Sequence, residues 1–311
     1  MDKLKIIFMG TPEFAVPCLE KLKDFAEIVC VVTQPDRPKG RGQKLQPSPV
    51  KLFAEKFSIP VLQPKKIKST ESVAELKKFP ADLIVVVAFG QILSQEILNF
   101  PKFGCINVHA SLLPKYRGAA PIEWCLINGE KITGVTTMQM NIGLDTGDML
   151  LKSEVEITDE MILPELREKL SNAGANLLLE TLEKLQRGEL NPIKQDDSIS
   201  NYAPMIKKEL GKIDWTKSAS EIHNLVRGLY GGTFAILNGE KIKIWRTKIS
   251  QENLNLQVGE IKILGKKFFV GTGNGILEIL EIQAPNAKKM SAANYLQGHK
   301  ITEKFFGENN E

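Results

Sequence analysis

The sequence predicts an α/β protein in two parts: a doubly wound, mostly parallel sheet with covering helices, followed by a small β-barrel. Three observations predict it. The first half alternates short apolar strands with helical stretches, one of those strands (Asp82–Ala88) is almost wholly apolar, and beyond residue 206 the chain turns into many short strands separated by turns. At 311 residues, two cores are the natural expectation.

The elements follow in order. Leu4-Lys5-Ile6-Ile7-Phe8-Met9 is a run of β-formers ended by Gly10, and Pro12 leads into a helix over Phe14–Leu22. Glu27–Thr33, Asp82–Ala88 and Gly104–His109 read as further strands, and Val135–Met140 as a Thr-rich one. Ile162, Leu166, Leu170, Leu177, Leu178, Leu182 and Leu185 recur at helical spacing within 159–187, and Arg187-Gly188 reads as a helix stop. Residues 1–188 are thus expected to form one domain whose ligands bind beyond the carboxyl ends of its strands. The polar stretch 189–206, with two prolines, reads as an exposed linker. Residues 207–311 are expected to be the barrel: a helix near Ala219–Leu229, then strands such as Phe234–Leu237, Lys241–Trp245, Gly259–Ile263, Lys267–Val270 and Ile276–Ile282. Asn238-Gly239 between two of them is a strong hairpin signal.

Composition narrows the function classes. The chain is 42% hydrophobic and 25% charged, which excludes a disordered tract, and no run reaches the roughly 20 apolar residues of a membrane helix. The amino-terminal apolar run is too short for a signal peptide, so a cytoplasmic protein is expected. Cys18, Cys30, Cys105 and Cys125 lie far apart with no C-x-x-C pair, and read as buried thiols, with no metal site indicated. The net charge of +4 is unevenly spread: residues 206–311 hold 16 Lys+Arg against 11 Asp+Glu, while the rest is close to neutral. A basic module suits an anionic macromolecular partner, although a solvated Lys-rich surface would give the same count.

The chemistry-bearing stretch is Cys105–Pro114. Side chains alternate along a strand, so Asn107 and His109 share one face at the end where α/β ligands bind. Of the three histidines, His223 falls in a helix and His299 in a polar tail, which leaves His109 as the one in a site-like setting. The loop Asn141–Asp148 brings an acidic residue to the same edge, and spacing alone leaves Asp145 and Asp148 open as candidates. Asn, His and Asp suit acyl transfer to an amine: attack on a formyl carbon builds charge on its oxygen, the amide and a protonated imidazole can donate to it, and the carboxylate orients the imidazole or relays a proton. No Ser or Cys stands beside a base, so no covalent acyl-enzyme is implied.

Asn107–Pro121 (Asn-x-His-x-Ser-Leu-Leu-Pro-x-Tyr-Arg-Gly-Ala-Ala-Pro) and the Gly-Leu-Asp-Thr-Gly loop Gly143–Gly147 resemble the folate-dependent formyltransferases, and the likeness runs the length of the chain. It implies a Rossmann-like catalytic domain followed by an OB-like barrel, 10-formyltetrahydrofolate as co-substrate, and no metal or obligate protein partner. It also implies that Asn107, His109 and Asp145 are catalytic. Ser111, Leu112, Leu113 and Pro114 would help bind the folate, with Phe89, Gly90, Gln91 and Leu93 lining its pterin pocket. Within the family, the segment Gln34–Leu45 points to the branch whose acceptor is initiator methionyl-tRNA. It carries four basic residues, Arg37, Lys39, Arg41 and Lys44, against Asp36, and reads as a mobile loop suited to phosphates. By resemblance it would embrace the acceptor arm, with Arg41 central.

Three rivals remain at this level. A formyltransferase acting on a nucleotide-linked amino sugar would share the Asn/His/Asp set and a second, barrel-like domain, and the basic loop and the positive surplus of the last third favour tRNA over it. A nicotinamide dehydrogenase would fit Gly10 after the first strand and Asp36 after the second, but G-x-G-x-x-G is absent. A non-catalytic tRNA-binding protein would have no use for Asn107 and His109 on one strand face.

Overall fold

The computed structural model describes residues 3–39 and 44–307, which form two compact units. The units are not consecutive stretches. One comprises Met1–Gly118, Ile132–Glu156 and Arg167–Tyr202; the other comprises Ala119–Lys131, Ile157–Leu166 and Ala203–Glu311. The expected linker therefore falls mainly inside the first unit, for reasons its side chains make plain below.

In the first unit, β1 (Lys5–Gly10), α1 (Val16–Phe25) and β2 (Glu27–Val32) are followed by the hairpin β3 (Arg37–Lys39) and β4 (Lys44–Gln46), then α2 (Pro49–Lys56), β5 (Val61–Leu62), α3 (Thr70–Leu76), β6 (Leu83–Val87), α4 (Gln95–Leu98) and β7 (Cys105–His109). After β8 (Arg117–Gly118) the chain passes through α5 (Pro121–Ile127), which belongs to the second unit, and then forms β9 (Ile132–Gln139), β10 (Met149–Glu156) and α6 (Leu163–Arg187), whose first turn also belongs to the second unit. The main sheet runs β10-β9-β7-β6-β1-β2-β5. Its five strands from β7 to β5 are parallel, while β9 and β10 continue it antiparallel. The order reverses between β1 and β6, where a doubly wound sheet opens its crevice.

The two faces of β7 have different fates. Val108 pairs in register with Thr137 of β9, whose hydroxyl lies 2.8 Å from that of Thr181 on α6, so α6 covers this face. The opposite face begins in an apolar core of Ile7, Met9, Ile84, Val86, Phe89 and Cys105. Toward the carboxyl end of β7 that face becomes polar, with Asn107 and then His109.

After the short β11 (Tyr202–Ala203), α7 (Ala219–Gly228) of the second unit starts with a capping box: the Ser218 side chain accepts from the Glu221 N–H, and the Glu221 carboxylate from that of Ser218. It packs against α5 and against an antiparallel sheet of order β12-β13-β16-β15-β14, namely β12 (Phe234–Leu237), β13 (Glu240–Ile249), β14 (Ile261–Leu264), β15 (Lys267–Gly271) and β16 (Ile276–Gln283). The short β17 (Met290–Ser291) pairs with β16, and α8 (Ala292–Gly298) follows. Register shifts in β13 between Ile244 and Thr247 bend the strand, and the sheet is a curled half-barrel whose edges, β12 and β14, do not pair with each other among the described residues. The Asn238-Gly239 turn has both φ values positive, 51° and 72°, as a type I′ hairpin turn requires. His223 is buried and satisfied, with Nδ1 3.0 Å from Thr247 Oγ1 and Nε2 3.0 Å from the Asp159 carbonyl.

All four cysteines are buried thiols, in no disulfide among the described residues. Burial pushes the thiols of Cys18, Cys30 and Cys105 up to about 12, so none is a thiolate at neutral pH. Titration of the native protein with a thiol reagent at pH 8 should show these three silent, with reactivity appearing only on denaturation; prompt labelling of any of them would contradict the packing. No helix among the described residues is long and apolar enough to cross a membrane.

Candidate active site

The site is built at the carboxyl end of β7. Asn107 and His109 are both nearly buried, 8% and 6% exposed, yet they differ in how they are satisfied. Among the described residues no group hydrogen-bonds the Asn107 carboxamide, which leaves its N–H free to donate. His109 Nε2 lies 2.8 Å from the carbonyl of Tyr116. A carbonyl only accepts, so Nε2 carries the hydrogen and Nδ1 is the nitrogen left for chemistry. Nδ1 faces Asp145 Oδ2 at 3.8 Å, too far for a direct hydrogen bond but close enough for the carboxylate to act as counter-charge to a proton held there. The same Asp145 oxygen accepts from the Gly118 N–H at 2.9 Å.

Of the two aspartates that spacing left open, Asp145 is the one beside His109. Asp148 contributes its carbonyl to the β9 ladder, accepting from Gln139 N at 2.8 Å. Three residues around the site hold left-handed backbone without being glycine: Ala88 (φ 48°), Tyr116 (φ 58°) and Asp145 (φ 53°). Such positions cost about 1–3 kcal/mol each and persist where the surroundings fix them, a pattern typical of working sites.

The two turns expected to hold the folate follow adjacent strands, Phe89–Leu93 after β6 and Ser111–Pro114 after β7. Several of their side chains turn inward. Phe89 and Leu93 belong to the core, Leu113 joins Met138 and Met149 in a small buried cluster, and Ser111 Oγ donates to the Lys115 carbonyl at 2.6 Å. Gln91 ties down residues 64–67, accepting from Ile67 N at 2.7 Å and donating to Pro64 O at 3.0 Å. Gly90 is exposed, as are parts of Leu112, and Pro114 is buried. Thr136 braces the second turn, donating to Ser111 O at 2.7 Å and accepting from Leu113 N at 3.1 Å, and Lys152 Nζ donates to Leu113 O at 2.6 Å. Partial burial lowers the Lys152 pKa from its ordinary value.

The described residues of the basic segment do not lie beside β7 in the sheet order. Arg37, Lys39 and Lys44 lie in the β3–β4 hairpin, which follows β2, and β1 and β6 separate β2 from β7. The expected loop is paired strand at its base because Arg37 faces Gln46 and Lys39 faces Lys44 in register; Arg41 lies outside the described residues. Arg37 NH2 reaches Gln34 Oε1 at 3.3 Å, and Gln34 Nε2 donates to the Phe89 carbonyl at 3.2 Å, which Thr11 Oγ1 also reaches at 3.0 Å. Asp36, the acid a dehydrogenase would turn to a ribose, instead accepts from Lys51 and Gln63, both at 2.7 Å, and Lys51 holds its carboxyl below the usual range.

Residues 4–182 match the family described as "Formyl transferase", and residues 205–300 match its C-terminal domain. The chain belongs to the formyltransferase family. Relatives named methionyl-tRNA formyltransferase include one from Geobacter metallireducens, 52% identical with 97% of each chain covered, and one from Acetivibrio thermocellus, 49% identical with 96% of this chain and 98% of the relative covered. Among solved structures, the fold matches an N-formyltransferase from Helicobacter canadensis complexed with folinic acid and dTDP-3-aminofucose (TM-score 0.66, 23% identity, covering 93% of this chain and 100% of that one). It also matches HypX from Aquifex aeolicus in complex with tetrahydrofolic acid (TM-score 0.62, 18% identity, covering 95% of this chain and 47% of that one).

Sequence reasoning missed the groups that contact the site from outside it: Tyr116 O at His109, Gly118 N and Gln195 at Asp145, and Thr136 and Lys152 at the Ser111–Pro114 turn. Tyr116 and Gly118 stand inside the long central motif, but a backbone contact leaves no mark on side-chain chemistry. Gln195 stands in a stretch that reads as linker.

Proposed function

We propose that this protein transfers the formyl group of 10-formyltetrahydrofolate to the free amino group of initiator methionyl-tRNA, in the cytoplasm, giving N-formylmethionyl-tRNA. The observation that carries the reading is the juxtaposition, at the carboxyl end of β7, of a free Asn107 carboxamide with His109 Nδ1 and the Asp145 carboxylate. Relatives about half identical over nearly the whole chain support the choice of acceptor.

The residues fit such a donor. With Phe89 and Leu93 turned into the core, the turn after β6 offers backbone polar groups and the open side of Gly90, which suits a ring system with donors and acceptors along its edge. The folate supplies a carbon at the formyl oxidation level. Asn107 N–H donates to the formyl oxygen as the amine attacks and charge gathers there. His109 Nδ1 takes the proton shed by the amine as its nitrogen bonds to carbon, and returns it to the folate nitrogen as that carbon–nitrogen bond breaks. Asp145 balances the charge on the imidazolium, and the Tyr116 carbonyl keeps Nε2 out of the reaction and Nδ1 in place.

The decisive experiment mixes purified protein, formyl-tetrahydrofolate and methionyl-tRNA, and follows formyl-methionine together with released tetrahydrofolate. A parallel reaction with a nucleotide-linked amino sugar tests the rival acceptor; turnover there and none with tRNA would reverse the assignment. For the basic segment, Arg41→Ala should weaken transfer to methionyl-tRNA, since small misplacement of an acceptor end is costly. Paired Lys→Ala changes in residues 207–311 should reduce tRNA affinity with a shallower salt dependence, because each lost phosphate contact releases fewer counterions. If tRNA binding across a salt series and turnover stay unchanged in all of these variants, the tRNA acceptor fails and a small-molecule acceptor replaces it.

A further inference from the structure

The stretch 183–204 lies between the two family matches, and it carries a half-buried residue whose neighbours Lys194 and Asp196 are exposed: Gln195. Its Nε2 donates to the carbonyl of Asp145 at 2.8 Å and to that of Gly147 at 2.7 Å, spanning Thr146. Its Oε1 accepts from Arg117 Nε at 2.8 Å. Carbonyls only accept and a guanidinium only donates, so these partners dictate which way the amide points. A primary amide is the one side-chain end that offers both donors and the acceptor. Glu would set an acceptor against two carbonyls, and Leu would offer nothing.

The same stretch holds the other half of the catalytic pair. Arg117 NH2 reaches Asp197 Oδ1 at 2.7 Å, and Arg117 N donates to Asn201 O at 3.0 Å. Asn201 Oδ1 accepts from the N–H of Tyr116, whose carbonyl engages His109 Nε2. Ile193 joins the edge of the sheet through two backbone hydrogen bonds with Met149, at 2.8 and 2.9 Å. Residues 193–201 thus form a strap that grips the Asp145 loop through Gln195 and the His109 side through Asn201.

We infer that Gln195 is a positioning residue for formyl transfer, setting where the Asp145 carboxylate stands relative to His109 Nδ1; this rests on the proposed roles of His109 and Asp145. The left-handed backbone at Asp145 needs such a hold: among the described residues, the other hydrogen bond that Asp145 makes runs from the Gly118 N–H to its side chain.

The test compares Gln195→Leu, Gln195→Glu, Asp145→Asn and the Gln195→Leu/Asp145→Asn double variant in the full chain. Each Gln195 variant should lose about 10–100-fold in kcat, the scale of a displaced catalytic group, with KM for both substrates and the melting curve nearly unchanged. The double variant should be no slower than Asp145→Asn alone, since the lost contact acts through Asp145. Wild-type kcat in both Gln195 variants, beside a collapsed Asp145→Asn, overturns the positioning role, as does a double variant slower by the full product of the two. Misfolding of both Gln195 variants likewise overturns it in favour of a purely structural strap. Normal turnover in Asp145→Asn is a different result: it removes the role of Asp145 itself.

Discussion

Asn107→Ala should lower turnover by about 10²–10³, or roughly 2.7–4 kcal/mol of transition-state stabilisation. The carboxamide makes no hydrogen bond to the described residues, so its removal breaks none there, and the loss should fall on charge that exists only during the reaction. Folate binding and KM should therefore change little. His109→Ala should have a comparable effect on turnover, and it also removes the hydrogen bond to the Tyr116 carbonyl. Asp145→Asn still accepts from Gly118 but loses the counter-charge, so it should slow the reaction and change its pH profile. Steady-state kinetics of these variants beside Asp148→Asn decide the matter. Near-normal turnover in Asn107→Ala or His109→Ala removes the assignment, and an Asp148→Asn defect in place of an Asp145→Asn one moves it to the other aspartate.

Gly147→Ala is expected to damage both stability and activity. A Cβ at this position would lie 1.7 Å from the carbonyl oxygen of Gln139, and Gln139 cannot retreat because its own N–H is bonded to the Asp148 carbonyl at 2.8 Å. The obstacle is backbone, so no rotamer change relieves it. The β9–β10 connection must shift, at a cost on the order of 3 kcal/mol. That shift pulls the Gly147 carbonyl from Gln195 and carries Asp145 with it. Melting and turnover measured together test this: a variant that melts and turns over like the wild type would show that the connection has slack the packing does not reveal.

The parallel sheet was legible because its strands are buried on both faces, and uninterrupted runs such as Leu83–Val87 leave no other reading. Asn107 and His109 were legible because strand alternation is a rule of backbone geometry. Strand β10 was not: its outer half, Lys152–Glu156, alternates exposed with half-buried residues at the sheet edge, and so resembles a surface segment. The stretch 189–206 misled for a related reason. Its composition is that of a linker, but two of its polar side chains, Gln195 and Asn201, are spent on backbone groups of the Asp145 and Tyr116 turns, and composition does not say where a hydrogen bond ends. The β3–β4 hairpin was hidden by its glycines and prolines, which mark a turn without revealing the paired residues either side of it. Nor could periodicity show that Ala119–Lys131 and Ile157–Leu166 pack with residues more than fifty positions later, because only the folded chain brings α5 to α7.

That interleaving has a consequence for how the protein is made. Helix α5 buries Ile122, Cys125 and Leu126, and Gly228 of its partner α7 comes so close that an added Cβ would stand 2.8 Å from Ile127. During synthesis α5 leaves the ribosome before any of α7 exists. At roughly 5–20 residues per second, the wait for its partner lasts on the order of 5–20 s. Through that interval the α7 side of the α5 packing is missing, and transiently exposed apolar surface of this kind is what chaperones serve to shield. For the same reason a gene cut at residue 203 would not yield two independent products: the carboxyl-terminal fragment would emerge with the α5 side of α7 bare.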